Sequence, residues 1–205
     1  MHIGGRRVDR QAVAIWLLVC GVYVASLWFE RFGIRSSRHG ADVDSYRLWA
    51  SAIGHGQLPY RNFYFPYPPG SLPPMLAAQL FSDYATAFKT VMAFAGVATF
   101  AVAAAALREP ARRSLWPLLT MAVSPVVVGS VFVNRFDLWP TLLVAAALLL
   151  LVRDRPGAAF AFLALGTVTK IFPAAALPAA AVWVWRTHGP RTLKQALIVF
   201  SAPGL

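Results

Sequence analysis

Residues 84–107 read YATAFKTVMAFAGVATFAVAAAAL, and Lys89 is the one charged residue among them. As a helix this run is about 36 Å long, enough to cross a hydrocarbon core of roughly 30 Å. Lys89 stands early enough in it to snorkel toward the headgroups. Ser82-Asp83, just ahead of the run, has the form of a helix N-cap. A membrane helix with a defined start is the reading, and the neighbouring sequence extends it.

An earlier apolar run, Ala12 to Phe29, follows the basic patch Arg6, Arg7 and Arg10 and ends in Leu27-Trp28-Phe29-Glu30-Arg31. It is too long for a signal-peptide core and ends in an interfacial aromatic flank, so it reads as a retained signal anchor. A third span is expected over Leu115–Val133, kinked near Pro125. A fourth is expected over Leu138–Val152. Two shorter apolar segments follow, Ala158–Phe172 and Pro173–Trp185, divided by Lys170 and Pro173. A further apolar run begins near Thr192 and is still in progress at Leu205, so more chain is expected beyond it.

The whole chain of 205 residues is 58% hydrophobic and 13% charged, about half the charged fraction of a soluble domain. Its net charge of +11 sits in short clusters between apolar runs, without the interleaved aromatics of a nucleic-acid surface. The clusters are Arg6/Arg7/Arg10, Arg108/Arg112/Arg113, Arg153/Arg155 and Arg186/Arg191/Lys194. All fall on one side if the N-terminus is cytoplasmic and Ala158–Trp185 is a hairpin, as the positive-inside rule requires. The expected fold is therefore an all-α integral membrane protein: one polytopic helical bundle over residues 1–205, in the plasma membrane of a bacterium. Membrane lipids are its expected surroundings, and nucleic acid is not an expected partner. Cys20 lies alone in the first span, and the histidines show no metal spacing.

Residues 30–70 form a long first loop outside the membrane. Within it, Ser45–Ile53 has helical spacing with Tyr46, Trp49 and Ile53 on one face, as in a short interfacial helix. His55-Gly56 stops it, and residues 59–70 form an aromatic, proline-rich turn region. Leu72–Phe81 is too short to span and reads as re-entrant or interfacial.

Acidic residues are few, and two of them, Asp42 and Asp44, open the stretch Ala41–Tyr46, just ahead of this helix's expected start at Ser45. In an extended segment their spacing puts both carboxylates on one face, where one takes a proton from a hydroxyl while the other orients it or holds a cation. Alternatively, Asp44 caps a helix starting at Ser45, and Asp42 is a plain loop carboxylate. Lys170 lies between apolar neighbours at the end of a membrane segment, so it must snorkel or pair with an anion; a lipid phosphate suits it. In the turn Asn134–Asp137, Arg135 and Asp137 pair with each other, Asp137 caps the next helix, or Arg135 clamps phosphate through its planar fork. The Asp42 loop, this turn and Lys170 share the outer face.

These residues carry a resemblance. Asp42-Val43-Asp44-Ser45-Tyr46-Arg47-Leu48-Trp49-Ala50, Ile53-Gly54-His55-Gly56, Pro59-Tyr60-Arg61-Asn62-Phe63 and Tyr67-Pro68-Pro69-Gly70 resemble the first external loop of GT-C glycosyltransferases. The similarity is greatest to the polyprenol-phosphate-sugar-dependent mannosyltransferases and the related DUF2029 group, glycosyltransferase family 87. Asn134-Arg135-Phe136-Asp137 and Thr169-Lys170-Ile171-Phe172-Pro173, with Pro178, continue the likeness. It covers Asp42 to Pro178 and only the N-terminal part of that family. Pro66 stands where many relatives carry an acidic residue, so no acceptor contact is assigned there.

The resemblance implies an inverting hexosyltransferase. A mannose-like sugar passes from a polyprenyl phosphate to a lipid or glycan acceptor on the extracytoplasmic face; no cofactor is expected and no metal-ligating residue is assigned. It implies Asp42 as the base on the acceptor hydroxyl, with Asp44 beside it. Lys170 and Arg135 attend the departing phosphate, and Asp137, Arg61, Tyr60 and Tyr67 are further substrate contacts. The competing readings are a non-catalytic transporter or lipid-binding subunit, which would place a polar residue near the bilayer midplane, and a structural scaffold, which would not depend on Asp42.

Overall fold

A computed structural model describes Gly21 and residues 41–106, 116–129 and 131–202. Apart from Gly21, the expected span 12–29, with Cys20, lies outside the described residues, as does the cluster Arg108–Arg113. Those described form helices joined by turns, with one isolated bridge between Pro59 and Phe63.

Helix α1 covers Ala41–Gly54. Its inner face carries Val43, Tyr46 and Ala50, all buried, with Trp49 and Ile53 partly so. This is the face the spacing predicts. The helix begins earlier than expected, and both aspartates lie in its first turn. His55 and Gly56 turn the chain away, Gly56 at φ 80°. The aromatic segment then leads through a 3-10 turn, Pro69–Ser71, into α2, Leu72–Gln79.

Helix α3 spans Tyr84–Ala106 and is the described helix long and apolar enough to cross a membrane. Asp83 caps it: its Oδ1 accepts the Thr86 N–H at 3.2 Å, and hydrogen bonding to Thr86 holds this carboxyl below its usual pKa. Helix α4, Trp116–Val128, includes Pro125 without ending there. The break falls at Gly129, which adopts φ 76°, a left-handed conformation that glycine takes without steric cost. A short α5, Val131–Asn134, follows.

Helix α6 is Leu138–Val152, as the apolar run predicts. Helix α7, Pro156–Thr167, starts with proline at its first position, where the missing N–H leaves no gap. A turn through Lys170 and a 3-10 segment, Phe172–Ala176, lead into α8, Leu177–Ser201. This last helix outruns the expected end at Trp185. It carries a backbone break at Gly189, φ 83° and ψ 175°, followed by Pro190.

Helix α6 packs against α3 and α7, and α7 against α8. The hairpin expected over Ala158–Trp185 is therefore present. His188 Nε2 lies 3.4 Å from Asp154 Oδ1, which brings the 153–155 and 186–194 basic clusters to one end. Asp137 and Arg153 flank α6, whose 15 residues separate the two ends by about 22 Å.

Candidate active site

Helical register decides which of the two aspartates faces the bundle. Asp42 and Asp44 are about 200° apart around α1, so they do not share a face as an extended strand would allow. Asp42 sits one turn before the buried Tyr46. Asp44 points outward, is exposed, and cannot cap a helix that already includes Ala41.

Asp42 Oδ2 accepts a hydrogen bond from Arg135 Nε at 2.8 Å, closing a gap of 93 residues along the chain. Arg135 and Asp137 therefore do not pair with each other. Asp137 makes no side-chain cap on α6; its Oδ1 instead takes an ion pair from Lys170 Nζ. Lys170, expected to snorkel or to pair with an anion such as a lipid phosphate, has a protein counter-ion. Its ammonium also lies 5.2 Å from the centroid of the Phe136 ring, within cation–π range. The three predicted outer-face sites are thus one cluster, with charges in the order Asp42, Arg135, Asp137, Lys170.

The cluster stands on an aromatic floor. Tyr46 is 2% exposed and packs on Phe88, Phe136 and Tyr67. Burial, then the neighbouring Tyr67 and Asp42, push its phenol far above the usual range, so it stays a neutral hydroxyl. Tyr67 sits edge-on to Phe136 at 4.7 Å between centroids. Tyr60 takes φ 65° and donates its hydroxyl to the Tyr67 carbonyl, which places it one layer further out. Arg61 is exposed, and no ion pair or side-chain hydrogen bond joins it to the cluster among the described residues.

Partial desolvation lowers the Arg135 pKa, but the Asp42 hydrogen bond and charge, with Asp137 behind them, outweigh it and raise it overall. Arg135 is a permanent cation here. Next to it Asn134 is buried, and its Oδ1 lacks a hydrogen-bond partner among the described residues.

A backbone clamp that the sequence did not announce fixes Lys170. The Gly70 N–H donates to Val168 O at 2.8 Å. The Gly70 carbonyl accepts from Trp139 Nε1 and Thr169 Oγ1, both at 3.2 Å. A Cβ at Gly70 would stand 2.7 Å from Thr169 Oγ1 and from Val168 O, so only glycine lets the loop approach this closely. Pro69-Gly70 and Trp139 were visible as residues, but this meeting 99 positions apart has no local signature.

The arrangement offers a carboxylate held by one oxygen, an ammonium paired with a second carboxylate and, beneath them, a neutral phenol at one end of an apolar bundle. A groove of about 410 Å³ lies elsewhere, beyond the Gly189 break, between Pro190 and Ser201. It has no carboxylate on its walls.

No curated protein and no solved structure matches the chain. The family model of glycosyltransferase family 87 matches residues 65–202, more than half of it. That match takes in Tyr67, Arg135, Asp137 and Lys170. Asp42 precedes it and joins the site through Arg135. On this match the chain belongs to glycosyltransferase family 87.

Proposed function

We propose that the protein transfers a mannose-like hexose from a polyprenyl-phosphate donor to a hydroxyl of a lipid or glycan acceptor. The reaction takes place at the extracytoplasmic face of a polytopic membrane bundle whose N-terminus is cytoplasmic. Members of family 87 are membrane proteins. The carrying observation is the meeting of Asp42, Arg135, Asp137 and Lys170 in one cluster at the end of α6 opposite the Arg153/Arg155 turn.

Asp42 is the general base in this reading. Arg135 holds Oδ2 and leaves Oδ1 to the acceptor hydroxyl. As that oxygen attacks the anomeric carbon, its proton passes to Asp42, and the carbon–phosphate-oxygen bond breaks with inversion. The electron pair leaves on the polyprenyl phosphate, whose growing charge Lys170 stabilises. Tyr67, half-buried on the Tyr46 ring beneath it, supplies a hydroxyl and apolar ring surface beside the sugar. Transport is the weaker reading: α6 and α7 carry no ionisable residue along their lengths.

Donor class tests this directly. Proteoliposomes containing the protein should transfer labelled mannose from polyprenyl-phosphate mannose to an acceptor lipid, and should ignore a nucleotide-activated mannose. Transfer from the nucleotide sugar at an equal rate would remove the lipid donor from the account.

A further inference from the structure

The alternating row Asp42, Arg135, Asp137, Lys170 raises a question that the proposed reaction leaves open. Lys170, assigned above to the donor phosphate, is already held by the Asp137 carboxylate. A phosphate reaches this ammonium only by displacing one of the two.

The backbone at Lys170 is held, and its ammonium has a second contact besides Asp137. Its neighbour Thr169 is 1% exposed and bonded to Leu165 O at 2.8 Å and Gly70 O at 3.2 Å. The Lys170 N–H donates to Gly166 O at 2.9 Å, and the Phe136 ring stands beside the ammonium. Asp137 is the member free to move. Its carboxylate makes no capping bond to its own helix, and Lys170 is its ion-pair partner. The pair is open to water, with side chains 35% and 42% exposed, so solvent screens it and it is weak. Arg135, which feels the Asp137 charge, offers the displaced carboxylate a second cation.

We infer that Asp137 is the resident counter-ion of Lys170, displaced when the donor's phosphate binds and restored when the spent polyprenyl phosphate leaves. The inference rests on the assignment of Lys170 to that phosphate. Asp137 is then a residue that sets donor affinity by competition. It keeps Lys170 neutralised between turnovers and favours product release, because the returning carboxylate is tethered a short distance away.

Undecaprenyl phosphate titrated against the protein in phosphatidylcholine nanodiscs tests the competition. Asp137→Asn keeps shape and removes charge. It should bind the lipid about two- to fivefold more tightly than wild type, the worth of one partly exposed ion pair. In turnover it should lower KM and kcat together, because product leaves more slowly. Asp137→Glu keeps the competing charge and should bind like wild type. A purely structural role would instead lower the melting temperature and weaken binding. Equal or weaker binding by Asp137→Asn, with wild type still binding, overturns the competition and leaves the Lys170 assignment standing. Absence of binding by wild type and both variants removes both.

Discussion

Asp42→Asn is expected to reduce sugar transfer by about 10²–10⁴-fold, the range that general-base help supplies. The amide keeps the shape of the side chain and an oxygen near Arg135, so the fold and donor affinity should remain near wild type. The loss belongs in kcat, because the base acts only as the acceptor oxygen attacks. Asp44→Asn should cost little, since Asp44 lies on the opposite side of α1 and faces outward. Initial rates in proteoliposomes check both variants. An inverted ranking would move the base to Asp44, and near-normal transfer by Asp42→Asn would sink the assignment.

Lys170→Gln should weaken donor binding about ten- to a hundredfold, because a charge-assisted contact contributes about 1.5–3 kcal/mol. Its effect differs in kind from that of Asp42→Asn: affinity falls before rate does. Lys170→Arg should retain much of the affinity if charge is what matters, although the larger guanidinium must fit beside Phe136. The comparison needs a melting curve, because the neutral amide would leave Asp137 without its cation. Donor-lipid affinity in nanodiscs is the readout. An unchanged value in Lys170→Gln would leave Lys170 as the counter-ion of Asp137 alone and pass the phosphate to Arg135.

Much of the architecture was legible because apolar runs have sharp edges. Leu138–Val152 is bounded by Asp137 and Arg153, and its helix has those limits. The start of α3 was legible from Asp83, whose cap is local chemistry. Local rules misled where two of them competed. Pro125 is tolerated inside α4, and the chain breaks four residues later at Gly129, where positive φ rather than a missing N–H decides. At α8 the charged stretch after Trp185 read as a loop, yet the helix continues to its break at Gly189.

The charged cluster was legible as a set of residues and illegible as a set of partners. Polarity among apolar neighbours pointed to Asp42, Arg135, Asp137 and Lys170. Their pairing depends on where α1 and the α7–α8 turn dock, and no short-range spacing encodes that. Arg135 and Asp137 are two residues apart, which left mutual pairing open beside capping and phosphate binding. The turn splays them instead, one toward α1 and one toward Lys170. Asp42 and Asp44 were separated only when the register of α1 was known, because an extended and a helical segment give opposite answers. Phe136 and Gly70, which hold Lys170 in place, carry no chemistry of their own to mark them.

The central claim is that the donor's phosphate binds at Lys170, in the cluster that also holds Asp137 and Arg135. A polyprenyl phosphate with a photoreactive group beside its phosphate, illuminated in nanodiscs and mapped by mass spectrometry, tests it most directly. The account predicts adducts on the segments 68–71, 134–139 and 168–172, competed away by unlabelled polyprenyl phosphate. Competable adducts confined to the groove between Pro190 and Ser201 would contradict it.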